Sequence, residues 1–258
     1  MVFWIFEFVS NGVEAYSKDE DIDTIDKAIA KHGGGAYTVM RTVNNINIVM
    51  PQIHAVRLGI SLVLLESVVK KLYDINPWDA EQRITVIKFD RQNLLGVFHE
   101  PLPSVDSNRV IRVKMVKGTR HNPSQKTTNW IKERRKWDKE FFEECILIDE
   151  MGRIQEGLSS NVFIVDDLNR IHAVKPEKVL RGSIACLVGQ CAVEHQIKID
   201  YTDGLILDHH TTAMFITSTS RLVMAVNEVV LMDQSVIKLD PQNTVVLNMS
   251  EWVKEKIV

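Results

Sequence analysis

The chain has 258 residues, of which 45% are hydrophobic and 25% charged, and its formal net charge is −3. That length can bury a sizeable core as one large or two modest domains, and the balance excludes disordered and fibrous classes. A slight excess of acid, with no basic stripe interleaved with aromatics, argues against nucleic acid as a partner.

Cys145, Cys186 and Cys191 are odd in number and lack metal-ligand spacing, which fits a reducing compartment. Val2-Phe3-Trp4-Ile5-Phe6 is apolar but stops at Glu7 and has no basic region before it. It is too short for a signal peptide or a membrane span. A strand, a cytoplasmic location and no membrane partner are therefore expected.

Val2–Val9 and Val13–Tyr16 predict a hairpin closed by Asn11-Gly12, a pair that readily supplies positive φ. Ile22, Ile25 and Ile29 predict a helix over Asp21–His32, stopped by Gly33-Gly34-Gly35. The triple glycine suits either a plain helix stop or a backbone that a ligand approaches closely. Strands are expected at Ala36–Val43 and Ile46–Met50, joined by Asn44-Asn45, and one long amphipathic helix at Pro51–Leu72. Asn76-Pro77-Trp78-Asp79 breaks the helix. Strands follow at Ile84–Phe89, Leu94–His99 and Arg109–Val116, with a loop through Glu100-Pro101-Leu102-Pro103-Ser104. Glycine and proline place a domain boundary near Gly118–Ser124.

Lys126 then stands at the head of a predicted helix, Asn129–Phe142, whose run Lys132 to Lys136 mixes base with acid as a solvated face does. An apolar strand, Cys145–Asp149, turns through Glu150-Met151-Gly152-Arg153 and leads to Glu156-Gly157-Leu158-Ser159-Ser160-Asn161. Val162–Val165 and Arg170–Val174 predict a second hairpin across Asp166-Asp167-Leu168-Asn169. Gly182–His195 is a helix whose first turn can receive an anion. Ala213–Thr217 is a strand running into Ser218-Thr219-Ser220.

Four pieces therefore occur in series: Lys126-Thr127-Thr128-Asn129, then Glu156 to Asn161, then Leu180-Arg181-Gly182, then Thr217-Ser218-Thr219-Ser220. His54-Ala55-Val56-Arg57-Leu58 precedes them. The ordered set resembles the fold-type IV enzymes that use pyridoxal 5'-phosphate: the branched-chain and D-amino-acid aminotransferases and their relative, aminodeoxychorismate lyase. The resemblance covers most of the chain. It implies an α+β, two-domain fold like that of D-amino-acid aminotransferase. The smaller N-terminal domain would take residues 1–117, a linker 118–124 and the larger domain 125–258, with the cofactor between the domains.

The resemblance also implies roles. Lys126 would form the Schiff base with the cofactor and then act as the base that moves a proton on the substrate. Glu156 would hydrogen-bond the pyridine nitrogen. Arg57, Ser183 and Ile184 at the helix start, and Ser218 with Thr219 would anchor the phosphate, a task that suits the planar fork of a guanidinium. Tyr37 would line the substrate pocket, whereas Val39 is expected in the core and His54 in a structural place. The partners would be an amino acid, a 2-oxo acid and a second copy of the chain. No metal is called for.

An aminotransferase acting on branched-chain or D-amino acids is the leading expectation. A pyridoxal-phosphate carbon–oxygen lyase and a non-catalytic homologue are the alternatives. This chain departs from the family in three places. It carries Ser183-Ile184-Ala185 where the aminotransferases continue Ile-Thr-Arg after Leu-x-Gly. It shows no arginine pair over Lys88–Gly118 matching the carboxylate clamp of the D-amino-acid enzymes. It also has Leu158 inside an otherwise small and polar run.

Overall fold

The computed structural model describes residues 2–10, 12–90, 92–102, 109–137 and 142–257. Two compact units emerge, one built from Met1–Ser104 and Gln125–Glu133, the other from Val105–Ser124 and Arg134–Ile257.

In the first unit β1 (Val2–Val9) and β2 (Gly12–Lys18) form the expected antiparallel hairpin, although Asn11 of its turn lies outside the described residues. Helix α1 (Ile25–His32) is shorter than predicted because Thr24 caps it, its hydroxyl accepting from the Lys27 amide. Gly33 ends it, donating its N–H to the Ile29 carbonyl. Strand β3 (Gly35–Val43) turns through Asn44 and Asn45, both at positive φ, into the two-residue β4 (Asn47–Ile48). At Gly35 a Cβ would run into the Lys88 carbonyl of the neighbouring strand. Close strand packing therefore accounts for that glycine.

The single helix predicted over Pro51–Leu72 is two helices, α2 (Pro51–Leu58) and α3 (Leu62–Ile75), bent by 107°. Gly59 takes the left-handed conformation that ends α2, and the Ser61 hydroxyl accepts from the Leu64 amide to start α3. Strands β5 (Gln82–Phe89) and β6 (Leu94–Pro101) follow; Pro103 and Ser104 of the expected loop lie outside the described residues. Among the described residues these strands form one sheet in the order β2-β1-β6-β5-β3-β4.

Alternation along the strands gives this sheet two apolar faces. Ile84, Val86, Leu95 and Val97 meet Leu64, Leu65, Val68 and Leu72 of α3. Phe3, Tyr37, Ile87, Phe89 and Phe98 pack instead with Ala28 of α1 and with Ile131 of α4 (Thr128–Glu133). The helix predicted over Asn129–Phe142 is cut short, α4 passing into a 3-10 turn at Arg134–Lys136. Like charges on Lys132, Arg135 and Lys136, three and four residues apart, disfavour its extension. Residues 138–141 lie outside the described residues.

The second unit holds β7 (Ile111–Lys117), β8 (Glu144–Ile148), β9 (Ile154–Gly157), β10 (Asn161–Asp166) and β11 (Ile171–Val174). It continues with α5 (Ser183–Glu194), β12 (Ile199–Thr202), β13 (Thr211–Ser218), β14 (Leu222–Val230), β15 (Val236–Lys238) and α6 (Thr244–Ile257). Its sheet runs β12-β11-β10-β13-β14-β7-β8-β9, with β15 on β14. Ile164, Met214, Ile216 and Val226 fill one face. Helices α5 and α6 pack on β13 and β14, and Phe163 stacks on Phe215 at 4.8 Å.

The fold is α+β with two sheets, but its sheets do not divide at residues 118–124. Strand β7, grouped with the N-terminal half from its position in the sequence, pairs in parallel with β14 and β8. Gln125–Glu133, grouped with the C-terminal half, belongs to the first unit. Strand pairing outweighs sequence neighbourhood at both places. Among the described residues no single helix is long and apolar enough to cross a membrane.

Candidate active site

In the first unit, Lys126 is fixed by its backbone. The Tyr37 amide donates to the Lys126 carbonyl at 2.8 Å, Ala36 bridges to Thr127, and the Gly35 amide donates to the buried Thr128 hydroxyl at 3.1 Å. The segment thus extends the head of β3. The Lys126 side chain is half-buried, with Nζ 5.2 Å from the centroid of the Tyr37 ring, within cation–π range. Tyr37 itself is 4% exposed, and Val39 packs against the same apolar cluster. Asn129, the last residue of the Lys-x-x-Asn pattern, is exposed.

Arg57 reaches this region through a relay. One of its terminal nitrogens donates to the Thr38 hydroxyl at 3.0 Å, and that hydroxyl lies 2.7 Å from His54 Nδ1. Because a guanidinium only donates, the Thr38 oxygen accepts from Arg57. Burial, and then the charges of Arg57 and Lys126, push His54 down to about 3; the Val49 carbonyl opposes them. A neutral ring beside two cations follows.

In the second unit, Glu156 lies on β9 and is 3% exposed. Its Oε2 accepts from the Leu180 amide at 3.2 Å and sits 3.8 Å from an Arg120 guanidinium nitrogen. Asn161 donates through Nδ2 to the Leu180 carbonyl at 2.7 Å. Both ends of the Glu156–Asn161 motif therefore grip the residue that opens Leu180-Arg181-Gly182. At Gly182 a Cβ would collide with Asn161 Oδ1, and at Gly157 with the Ser160 hydroxyl. Space, more than backbone conformation, calls for glycine there.

Gly182 is the N-cap of α5 and brings no side-chain cap to its first amides. Ser183 Oγ lies 3.4 Å from Thr219 Oγ1, while Ile184 is buried and has only its backbone to offer. Pairing of Thr217 with Asn161 across β13 and β10 sets the Ser218–Ser220 turn beside this helix start. Thr217 Oγ1 is buried without a hydrogen-bond partner. Amides without a side-chain cap, next to the hydroxyls of Ser183 and Thr219, form a donor-rich cluster of the kind that suits an anion.

Four neighbours of these residues were not foreseen from sequence: Thr38, Arg120, Glu144 and Arg221. Arg120 had a weak signal in the short basic segment Arg120-His121, and Glu144 a better one as an acid directly before the apolar run Cys145–Ile148. Glu144 Oε2 receives the hydroxyls of Ser159 (2.6 Å) and Ser160 (3.1 Å) and an Arg221 nitrogen (2.6 Å).

Residues 35–229 match the family model of class IV amino-transferases. No curated protein sequence matches. Among solved structures, a Thermotoga maritima protein assigned as a branched-chain amino acid aminotransferase shares the fold at 21% identity and a TM-score of 0.76, over 98% of this chain and 96% of its own. The branched-chain aminotransferase of Thermoproteus uzoniensis, solved with norvaline, aligns at 15% identity and a TM-score of 0.77, over 100% and 94%. A Mycobacterium tuberculosis protein described as a hypothetical aminotransferase, bound to α-ketoglutarate and PMP, aligns at 14% identity and 0.72, over 99% of each chain.

Proposed function

This chain belongs to the class IV aminotransferases, which are pyridoxal 5'-phosphate enzymes, and we propose that it moves an amino group between an amino acid of the branched-chain or D-amino-acid type and a 2-oxo acid. The branched-chain aminotransferases among its structural neighbours support the first of those types. The residues present fit the cofactor by the chemistry of their donor sets. A half-buried amine suits its aldehyde, a buried carboxylate its pyridine nitrogen, and hydroxyls around an uncapped helix start its phosphate.

When bound, pyridoxal phosphate supplies the carbonyl that takes up the amino group and the ring that draws electrons from the substrate. Lys126 Nζ would be the amine that attaches the cofactor and afterwards moves the proton taken from the substrate Cα. The Tyr37 ring beside it bounds the substrate's place. Neutral His54 adds no further positive charge next to Lys126 and Arg57. Glu156, kept in an ion pair by Arg120, would accept from the protonated pyridine nitrogen. By the family resemblance, Arg57 of the first unit and Ser183, the Ile184 amide, Ser218 and Thr219 of the second would hold the phosphate.

The observation that carries this reading is Glu156, a buried carboxylate hydrogen-bonded to Leu180, which leads directly into an uncapped helix start. The test is the visible spectrum of the purified protein with pyridoxal phosphate, before and after L-leucine, D-alanine or L-glutamate. A band that Lys126→Ala abolishes, and that a donor amino acid converts in a reaction completed by a 2-oxo acid, is expected. Turnover of that variant should fall by about a thousandfold or more. Multiple-turnover release of pyruvate from aminodeoxychorismate, with no 2-oxo acid acceptor, would instead indicate the lyase chemistry, and absence of any band would overturn both. The resemblance also supports a homodimer; a monomer mass by light scattering would count against that part.

A further inference from the structure

The family pattern places an arginine three residues after the Leu-x-Gly glycine, and this chain has Ala185 there. A guanidinium instead comes from Arg221, at the end of the Ser218–Ser220 turn. Its backbone N–H and its Nε both donate to Ser218 Oγ, at 3.3 and 3.1 Å. Its terminal nitrogens reach the Glu143 carbonyl at 3.0 Å, Ser159 Oγ at 3.0 Å and Glu144 Oε2 at 2.6 Å. Glu144 is fully buried, so this ion pair is shielded from water as few surface pairs are.

The hydrogen bonds have a direction. A serine hydroxyl has two lone pairs and one proton. With both lone pairs of Ser218 taken by Arg221, its single proton is committed to an outside acceptor. Ser159, in turn, accepts from Arg221 and donates to Glu144. The Glu156–Asn161 turn and the Ser218–Arg221 turn are thereby tied through one buried carboxylate.

We propose that Arg221, braced by Glu144, is a positioning residue that presents the Ser218 hydroxyl as a donor to the phosphate of the cofactor. This inference rests on the cofactor assignment above. A lysine could supply the charge but not the planar fork that serves Ser218 and Glu144 together.

The test compares pyridoxal phosphate with pyridoxal, which has the same carbonyl and ring but no phosphate. Dissociation constants for both are measured by absorbance titration of the wild type, Arg221→Lys, Arg221→Gln and the neutralised pair Glu144→Gln/Arg221→Gln, with folding checked by circular dichroism. Loss of one charge-assisted hydrogen-bond arrangement should weaken pyridoxal phosphate about tenfold in Arg221→Gln and leave pyridoxal within about twofold. Arg221→Lys should fall between, and the neutralised pair should behave as Arg221→Gln. Equal weakening of both ligands, or of neither, overturns the proposal while leaving the cofactor assignment intact. If neither glutamine variant folds, Arg221 is a structural residue and the proposal falls. A wild type that binds neither ligand overturns the assignment itself, and this inference with it.

Discussion

In the first unit the most deeply buried ionisable group near Lys126 is His54, held neutral by burial and by the two cations beside it. In the second unit the corresponding groups, Glu156 and Glu144, are as deeply buried but each faces an arginine. The difference follows from chemistry. An imidazole can shed its charge at modest cost near neutral pH, whereas a buried carboxylate at that pH calls for a counterion and hydrogen bonds. One unit therefore keeps the buried ring beside its two cations uncharged, and the other builds its acceptor from paired charges.

Arg120→Ala should disturb that contrast most. Arg120 and Glu156 have side chains 4% and 5% exposed, so removing the arginine leaves a buried carboxylate with less compensation. A loss of about 3 kcal/mol in unfolding free energy is expected, together with weaker cofactor binding. Chemical denaturation of wild type and variant measures the first quantity. A loss below about 1 kcal/mol would mean that Glu156 does not depend on Arg120 for its place in the core.

His54 sharpens the comparison through pH. Its unfolded value is the ordinary 6.5 and its native value about 3. Between those values the unfolded chain binds more protons, so stability falls as pH falls. The contribution is complete above pH 6.5 and should drop by roughly 2 to 3 kcal/mol on going to pH 4.5. Burial also lowers His99 and His32, with the same sign, so His54→Gln should flatten part of the slope. Unfolding free energies at intervals from pH 4.5 to 7 test this. An unchanged slope in the variant would show that His54 takes up its proton without unfolding.

How much of this was legible in the sequence differs between the units. Strands such as β5 followed from a short apolar, β-branched run, and the Asn44-Asn45 turn from residue type. The break between α2 and α3 was hidden because Gly59 and Ser61 interrupt an apolar pattern that reads as continuous on either side. In the second unit, α6 does carry Val245, Met249 and Val253 at helical spacing, a signal present but unread. The place of β7 beside β14 had no such signal, since pairing between distant strands leaves no mark on either one alone. The same holds for the candidate site. Lys126 and Glu156 stood out through an ordered series of motifs, but Arg120, Glu144 and Arg221 acquire their partners only when the sheet forms.

The smallest expected effect separates two helix starts. Helix α3 is closed by its own sequence, the Ser61 hydroxyl accepting from the Leu64 amide at 3.1 Å, while α5 begins at Gly182 with no side-chain cap. A capped start uses up a backbone donor that an uncapped start keeps for an anion. Ser61→Ala should therefore cost about 1 kcal/mol of stability, the usual worth of a cap, and leave affinity for pyridoxal phosphate unchanged. Denaturation and absorbance titration of the one variant measure both. A change in cofactor affinity as large as the change in stability would mean that α3 also serves the site, and the division between a start reserved for the fold and a start reserved for a ligand would not hold.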